Sequence, residues 1–130
     1  MTTRKIGAVS LVVRDYDEAI AWYARCLDFV VLADTDLGGG KRWVLVAPAR
    51  EAATPLLLAQ AATPEQAACI GGQTGGRVFL FLHTDDFARD RSRMLAQGVN
   101  FLEAPRHEAY GMVAVFEDLY GNKWDLLQVK

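Results

Sequence analysis

The sequence predicts an α+β protein made of two successive units, each with the order β-α-β-β-β. The main observation is an internal repeat, because two separate stretches run from an apolar strand through an acidic residue into an amphipathic segment. These stretches are Val9 to Leu27 and Arg77 to Gln97. The second observation is the length, since 130 residues fit one domain of ordinary size. We therefore predict one domain, residues 1–130, built from two copies of a half-domain.

The first predicted unit covers residues 6–60. Ile6 to Val13 alternates apolar side chains on two faces, with the larger ones at Val9, Leu11 and Val13. Asp15 is a suitable N-cap for a helix that would lie on this larger apolar face. Three further strands are predicted at Phe29 to Leu32, Arg42 to Ala47 and Leu56 to Ala59.

Residues 61–76 are predicted to link the units. Thr63-Pro64-Glu65 supplies an N-cap, a proline at the first helical position and an acid in the first turn, which predicts a short helix to about Cys69. Four glycines follow, at positions 71, 72, 75 and 76, and they predict a mobile connection.

The second predicted unit covers residues 77–130 and repeats the order of the first. Between its last two strands, Asp118 to Asn122 has the residues of a tight turn. The predicted elements are a strand at Arg77 to Thr84, a helix at Phe87 to Gln97, and strands at Val99 to Glu103, Met112 to Phe116 and Lys123 to Val129. The chain is thus expected to have eight strands and two flanking helices.

Charge and composition exclude some partners. The net charge is −2, and 14 basic against 16 acidic residues without a basic block give no surface for nucleic acid or an anionic membrane. The first apolar run is too short for a signal peptide or a membrane span, so we expect a cytoplasmic protein. Its two cysteines, Cys26 and Cys69, are expected to be reduced thiols.

The chain resembles the vicinal oxygen chelate superfamily, which groups glyoxalases, bleomycin-resistance proteins, extradiol dioxygenases and fosfomycin-modifying enzymes. The resemblance is carried by the paired units, the opening VSLVVRDYDEAIAWYARCLDF and the close YGMVAVFEDLYGNKWDLLQ. It implies curved mixed sheets around a cleft that holds a ligand or a metal. It also implies a homodimer whose clefts can combine units of two chains.

The resemblance further implies metal ligands early in the first strand and late in the last strand of each unit. At these positions the chain has Ala8, Leu57, Phe79 (Val78 if the alignment slips by one residue) and Asp125. Only Asp125 can bind a metal, and catalytic sites generally use three or more protein donors. We therefore expect no family metal and no cofactor, with a divalent metal at a displaced site as the alternative.

The two histidines are the remaining candidates for chemistry. Strand alternation from Phe79 through Phe81 places His83 on the same face as both. There His83 is either a relocated metal ligand or general base, acting with Asp125, or a strand-end residue that bonds the adjacent turn, which we favour. His107 is expected in a solvated polar loop.

A ligand pocket with aromatic walls and a few polar donors is expected, as in most small-molecule sites. Phe79 and Phe81 can equally fill the core, and Arg77 can either clamp an anionic group or remain a solvated charge. The candidate ligand-binding residues are Trp43, Phe79, Phe81 and Tyr110 as walls, with Trp124 as a further one, and Arg42, Gln60, Gln73 and Arg77 as donors.

Two functions remain open from the sequence. The preferred one is a metal-free protein of the bleomycin-resistance type that binds an apolar or aromatic small molecule in a dimeric cleft. The alternative is a lyase or dioxygenase-like enzyme. It would use Asp125 with His83 or Glu117 in a displaced metal site, or His83 as a base without a metal. The sequence has no GxSxG, GxxxxGK[ST] or HExxH motif for other chemistries.

Overall fold

The internal repeat is present in the structure as two sheets, each in its own compact unit, Met1–Ala68 and Cys69–Lys130. The structure is a computed structural model that describes residues 3–51 and 54–130. The predicted α+β class is confirmed, with sheets of four and five strands and few helices. No helix within these ranges has the length and apolar character needed to cross a membrane.

The first unit is a four-stranded sheet with strand order β1-β4-β3-β2. Its first and last strands, β1 and β4, pair in parallel, and the other pairs are antiparallel. The elements are β1 Val9–Val13, α1 Tyr16–Leu27, β2 Val30–Gly38, β3 Lys41–Ala47, β4 Leu56–Gln60 and α2 Pro64–Ala67.

Helix α1 begins and ends where the sequence predicts. The Asp15 carboxylate accepts a hydrogen bond from the Glu18 amide at 2.8 Å, and Asp28 closes the helix in the left-handed conformation (φ 58°). Leu11 and Val13 of β1 are fully buried, as is Tyr23 of α1. The larger apolar face of β1 therefore belongs to the core of this unit, as the alternation predicts.

Strand β2 is longer than predicted. It continues from Val30 to Gly38, whereas the sequence predicts an end at Leu32. The apolar pattern in the sequence does not continue through residues 34–38, because these residues are exposed. Their strand conformation depends on pairing with β3. Gly39 and Gly40, both with positive φ, form the hairpin turn.

The second unit is a sheet with strand order β5-β9-β8-β6, and β7 also pairs with β8. As in the first unit, the first and last strands, β5 and β9, are parallel. The elements are β5 Val78–His83, α3 Phe87–Ala96, β6 Asn100–Phe101, β7 Arg106–Glu108, β8 Gly111–Glu117 and β9 Lys123–Val129.

The prediction of one strand at Val99 to Glu103 and a loop around His107 is wrong. Two short strands replace it, and His107 lies in β7, opposite Met112 of β8. Pro105 separates the two pieces, because proline cannot donate to a strand ladder. The described chain therefore has nine strands, and the first predicted strand begins at Val9 instead of Ile6.

Aromatic side chains fill the core of the second unit. Trp124 is 3% exposed and stacks on the fully buried Phe116, with ring centroids 5.9 Å apart. Trp124 is therefore a core residue and not the pocket wall suggested from sequence. Phe87 and Met94 of α3 are also buried.

The predicted linker is partly built into the second unit. Residues 69–76 form hydrogen-bonded turns, with Gly72 N bonding Cys69 O at 3.0 Å. Gly71 (φ 81°) lies so close to the β8–β9 turn that a Cβ would be 2.0 Å from the Tyr120 carbonyl oxygen. In that turn, Asp118 accepts hydrogen bonds from the backbone and side-chain amides of Asn122, each at 2.9 Å.

Candidate functional site

The first unit contains a cavity of about 570 Å³ between the β2–β3 hairpin, strand β4 and the segment that leads to α2. Trp43 alternates along β3 with buried Val44 and projects from the opposite face, where it is 43% exposed. Most of the lining is apolar, and Lys41, Gln60 and Gln66 add polar groups. Apolar lining residues are Leu37, Trp43, Leu57, Leu58, Ala59, Ala61 and Ala62.

Arg42 lines this cavity, but its guanidinium is already engaged. Nε and Nη2 donate to the two carboxylate oxygens of Asp34 at 3.1 and 2.8 Å, and Nη1 donates to Asp17 at 3.0 Å. The Arg42 amide donates to the hydroxyl of Tyr16 at 3.1 Å. The hydrogen bonds from Arg42 lower the pKa of Asp34. These contacts hold Arg42, and with it the β3 backbone next to Trp43, in place.

Gln60 is held at the edge of the same cavity. Its side-chain amide donates to the Arg14 carbonyl oxygen at 3.2 Å. Three of the candidate ligand-binding residues, Arg42, Trp43 and Gln60, are therefore brought together by the first unit.

The second unit contains another cavity of about 570 Å³. Arg77 and Phe81, both candidates from the sequence, line it, and Phe81 is 59% exposed. Asp125 lies in the same lining, opposite Phe81 in the parallel β5–β9 pair. The remaining lining residues are Gly76, Val78, Leu102, Glu103, Val115 and Lys123.

Phe79 does not share a face with Phe81, so the simple alternation expected for β5 is wrong. The pairing register shifts between Val78 and Leu80, which leaves Phe79 as an extra residue at a bulge. The Phe79 ring meets the Trp124 ring edge-on, with centroids 6.3 Å apart. Phe79 therefore packs against the aromatic core, whereas Val78 and Phe81 line the cavity.

Asp125 combines burial with an unsatisfied acceptor. It is 9% exposed, and its Oδ1 has no hydrogen-bond partner in the described part of the chain. Burial raises the pKa of this carboxyl; Arg106 opposes the rise and Glu103 adds to it.

Glu103 and Arg106 form a cluster beside Asp125 that the sequence analysis missed. Arg106 Nε donates to Glu103 at 2.8 Å, and Nη1 donates to Glu108 at 2.8 Å. These hydrogen bonds, with one that Arg106 donates to the Tyr110 side chain, raise the pKa of Arg106. Tyr110, a candidate wall, thus lies beside the cluster and outside the linings of both described cavities. Sequence gave no signal for this cluster, because it depends on the unpredicted strand β7.

His83 and Glu117 are not gathered around Asp125. His83 is exposed at the end of β5 and pairs with Leu127, two positions beyond Asp125 on β9. Glu117 accepts a hydrogen bond from the Asn100 side chain at 2.8 Å.

The residues present do not fit the metal that the family resemblance implies. Ala8, Leu57 and Phe79 offer only carbon and hydrogen, which leaves the Asp125 carboxylate as a single donor. Residues 3–51 and 54–130 contain no group of three or more His, Cys, Asp or Glu side chains that could hold a metal ion.

A family model supports the resemblance over nearly the whole chain. The model of the Glyoxalase/Bleomycin resistance protein/Dioxygenase superfamily matches residues 5–126. The chain belongs to this superfamily. The match confirms the family that the resemblance indicated, and the two sheets described above confirm the predicted fold.

Similar proteins match nearly all of this chain. A protein of Shewanella frigidimarina (strain NCIMB 400) is 55% identical over 127 residues, 97% of this chain and 94% of its own. The crystal structure of UcmS2 has a TM-score of 0.83 and 28% identity, covering 97% of this chain and 98% of its own. TnmS3, an antibiotic binding protein from Streptomyces sp. CB03234, has a TM-score of 0.80 and 31% identity, covering 100% and 99%.

Proposed function

We propose that this chain is a small-molecule-binding member of the superfamily that holds an apolar or aromatic ligand against Trp43 without a metal. The observation that carries the proposal is the 43% exposed indole of Trp43 at the edge of a largely apolar cavity. Exposed aromatic faces bury a large area on binding and stack on flat ligands. A ligand of this class would cover Trp43 and the apolar strand β4.

The chemistry of the cavity supports binding more than catalysis. Among its described lining residues none is His, Cys, Asp or Glu, the side chains that serve most often as bases, nucleophiles or metal ligands. The volume of about 570 Å³ lies within the range of small-molecule pockets. Lys41 and Gln60 are left to orient a polar group of the ligand.

The comparison with TnmS3 supports the same class of function. That protein is described as antibiotic binding, and its sequence is 31% identical over the whole of this chain. A sequestering role for this chain is therefore proposed by similarity, and the ligand is defined only by the apolar and aromatic cavity.

The proposed absence of a metal rests on the donor set. Asp125 is the only carboxylate at the family positions. A single carboxylate binds a metal ion more weakly than a site with three or more protein ligands does. The alternative enzyme would need further donors beside Asp125. However, His83 of β5 pairs with Leu127, two positions beyond Asp125 on β9, and Glu117 accepts a hydrogen bond from Asn100.

Binding of 8-anilinonaphthalene-1-sulfonate (ANS), an aromatic probe whose fluorescence rises in apolar sites, tests the proposal. We expect saturable binding that Trp43→Ala weakens about tenfold and that Trp43→Phe largely retains. Tyr110→Ala is the matched control, because Tyr110 is also about half exposed but lies in the other unit. Equal ANS affinity in Trp43→Ala and the unaltered protein would overturn the proposal.

We also infer from family membership that the chain forms a homodimer. The inference rests on analogy with the small members of the superfamily. Light scattering coupled to size-exclusion chromatography should give twice the chain mass of 14.3 kDa. A mass of one chain at micromolar concentration would rule out this assembly.

A further inference from the structure

The Trp43 cavity of the first unit has an uneven charge distribution. Its lining contains two cationic side chains, Lys41 and Arg42, and its described residues include no Asp or Glu. Arg42 is neutralised, because Asp34 and Asp17 accept hydrogen bonds from its guanidinium. The Lys41 ammonium, in contrast, makes no hydrogen bond or ion pair in the part of the chain that the structure describes. The cavity therefore presents a positive charge that the protein does not compensate.

Lys41 lies on the same face of β3 as Trp43. Residues two positions apart on a strand point to one face, and their Cα atoms are roughly 6.8 Å apart. The hairpin does not disturb this alternation, because the register shift between Asp36 and Gly38 places the extra residue on β2. A ring that lies on the Trp43 indole is thus within reach of the long, flexible Lys41 side chain.

Gln66 adds a neutral donor to the same lining. Its side-chain oxygen accepts a hydrogen bond from the Ala62 amide at 2.7 Å. A backbone N–H can only donate, so the oxygen is the atom that faces Ala62, and the NH2 group of Gln66 is left for a ligand. The Thr63 hydroxyl holds the Gln66 backbone by accepting from its amide at 3.1 Å.

The apolar side of the cavity is suited to a ring. Leu37, the extra residue of the β2 bulge, is 52% exposed and lines the cavity together with Trp43. An exposed tryptophan also attracts cations. Here a cation would meet the Lys41 charge and would find no carboxylate in the described lining. An anion instead gains a charge-assisted hydrogen bond from the Lys41 ammonium.

We propose that the ligand of the Trp43 cavity is an aromatic molecule that carries an anionic group, a carboxylate or a sulfonate, beside its ring. The ring lies against Trp43 and Leu37, and the anionic group accepts hydrogen bonds from Lys41 and Gln66. This inference rests on the proposed function and narrows its ligand class from apolar or aromatic molecules to aromatic anions.

Two fluorescent probes with the same rings isolate the anionic group. ANS carries a sulfonate, and N-phenyl-1-naphthylamine is the same molecule without it. Lys41→Gln should weaken ANS binding about fivefold and leave N-phenyl-1-naphthylamine binding unchanged, because only the charge-assisted contact is lost. Lys41→Arg keeps the charge and should largely retain ANS affinity. Lys5→Gln is the matched control, since it removes the same charge from an exposed lysine outside the lining.

Salt provides a second readout of the same contact. Raising the salt concentration from about 20 mM to about 0.5 M screens exposed charges. ANS affinity should therefore fall with salt in the unaltered protein and fall less in Lys41→Gln, while N-phenyl-1-naphthylamine affinity does not fall in either. Displacement of ANS by 2-naphthoate, compared with the uncharged 2-naphthamide, extends the test to a carboxylate. We expect 2-naphthoate to displace ANS at a several-fold lower concentration.

The variants separate failure of this inference from failure of the proposed function. If Trp43→Ala weakens both fluorescent probes but Lys41→Gln changes ANS no more than Lys5→Gln does, the inference fails and the proposed function stands. An equal loss of both probes in Lys41→Gln would also overturn the inference, because the sulfonate would then have no part in the contact. If Trp43→Ala leaves both affinities unchanged, the proposed function fails, and the inference fails with it.

Discussion

Arg42 and Asp34 form a two-point ion pair on the β2–β3 hairpin, with Nε to Oδ1 at 3.1 Å and Nη2 to Oδ2 at 2.8 Å. This geometry needs the planar guanidinium, because an ammonium group cannot make two parallel hydrogen bonds. The pair fixes the backbone immediately before Trp43. The orientation of the Trp43 indole therefore depends on the Arg42–Asp34 ion pair, which lies outside the apolar part of the cavity.

Arg42→Lys should keep the charge but lose the two-point geometry. We expect ANS affinity to fall about two- to threefold, because Trp43 would be held less firmly. Fluorescence titration measures the change. Arg89→Lys is the control, since Arg89 also contacts two aspartates but lies on α3 in the second unit. A loss of the same size in both variants would argue against a specific role for Arg42.

Asp125→Asn should stabilise the protein at neutral pH. Burial raises the pKa of Asp125, so the folded state keeps its proton at pH values where the unfolded state has lost it. Stability contributed by this group therefore falls as the pH rises from its ordinary pKa, about 4, through the raised one. The charged and titratable groups around it are Glu103, Arg106, Arg77 and Lys123.

Urea unfolding at pH 7 and pH 4 tests this expectation. At pH 7 the Asn variant should gain about 1 kcal/mol in the free energy of unfolding, and the gain should shrink at pH 4. Asp36→Asn provides an exposed aspartate that caps no helix for comparison. A gain that is independent of pH would show that burial of the charge is not its cause.

Gly111→Ala should destabilise the β8–β9 pair strongly. Gly111 has φ 150°, and a Cβ there would lie 2.1 Å from the Gln128 carbonyl oxygen, so backbone must move. We expect a loss of about 3 kcal/mol in the free energy of unfolding. Gly75→Ala is the matched control, because Gly75 also has positive φ (66°) but has open space around it. Its loss should be about 1 kcal/mol.

Equilibrium dialysis against Ni²⁺, Zn²⁺, Fe²⁺ and Mn²⁺ should leave the protein with far less than one metal per chain. The physical reason is the single carboxylate donor at the family positions. Asp125→Ala and His83→Ala are dialysed in parallel. One metal per chain that disappears in either variant would favour the enzyme with a displaced site.

Elements with their own hydrophobic pattern could be predicted from the sequence. Strand β1 and helices α1 and α3 have such patterns, and the capping residues Asp15 and Asp86 mark the helix starts. The extension of β2 and the whole of β7 could not be predicted, because exposed polar residues enter a strand there only by pairing with a neighbour.

The candidate sites were predicted less completely for the same reason. Trp43, Arg77 and Phe81 were found by residue type, and Asp125 by its family position. The engagement of Arg42 by Asp34 depends on a hairpin pairing that no local pattern reveals. The bulge that turns Phe79 towards Trp124 is a change of one residue in register, which strand periodicity does not show.

The parallel pairing of the first and last strand in each unit places Leu57 and Asp125 at equivalent points. Leu57 lies opposite Ser10, and Asp125 lies opposite Phe81. The duplicated halves have therefore diverged in chemistry at a shared position while their topology stayed the same. A substitution at this position can therefore change the polarity of one sheet while the strand pairing of the other sheet is kept.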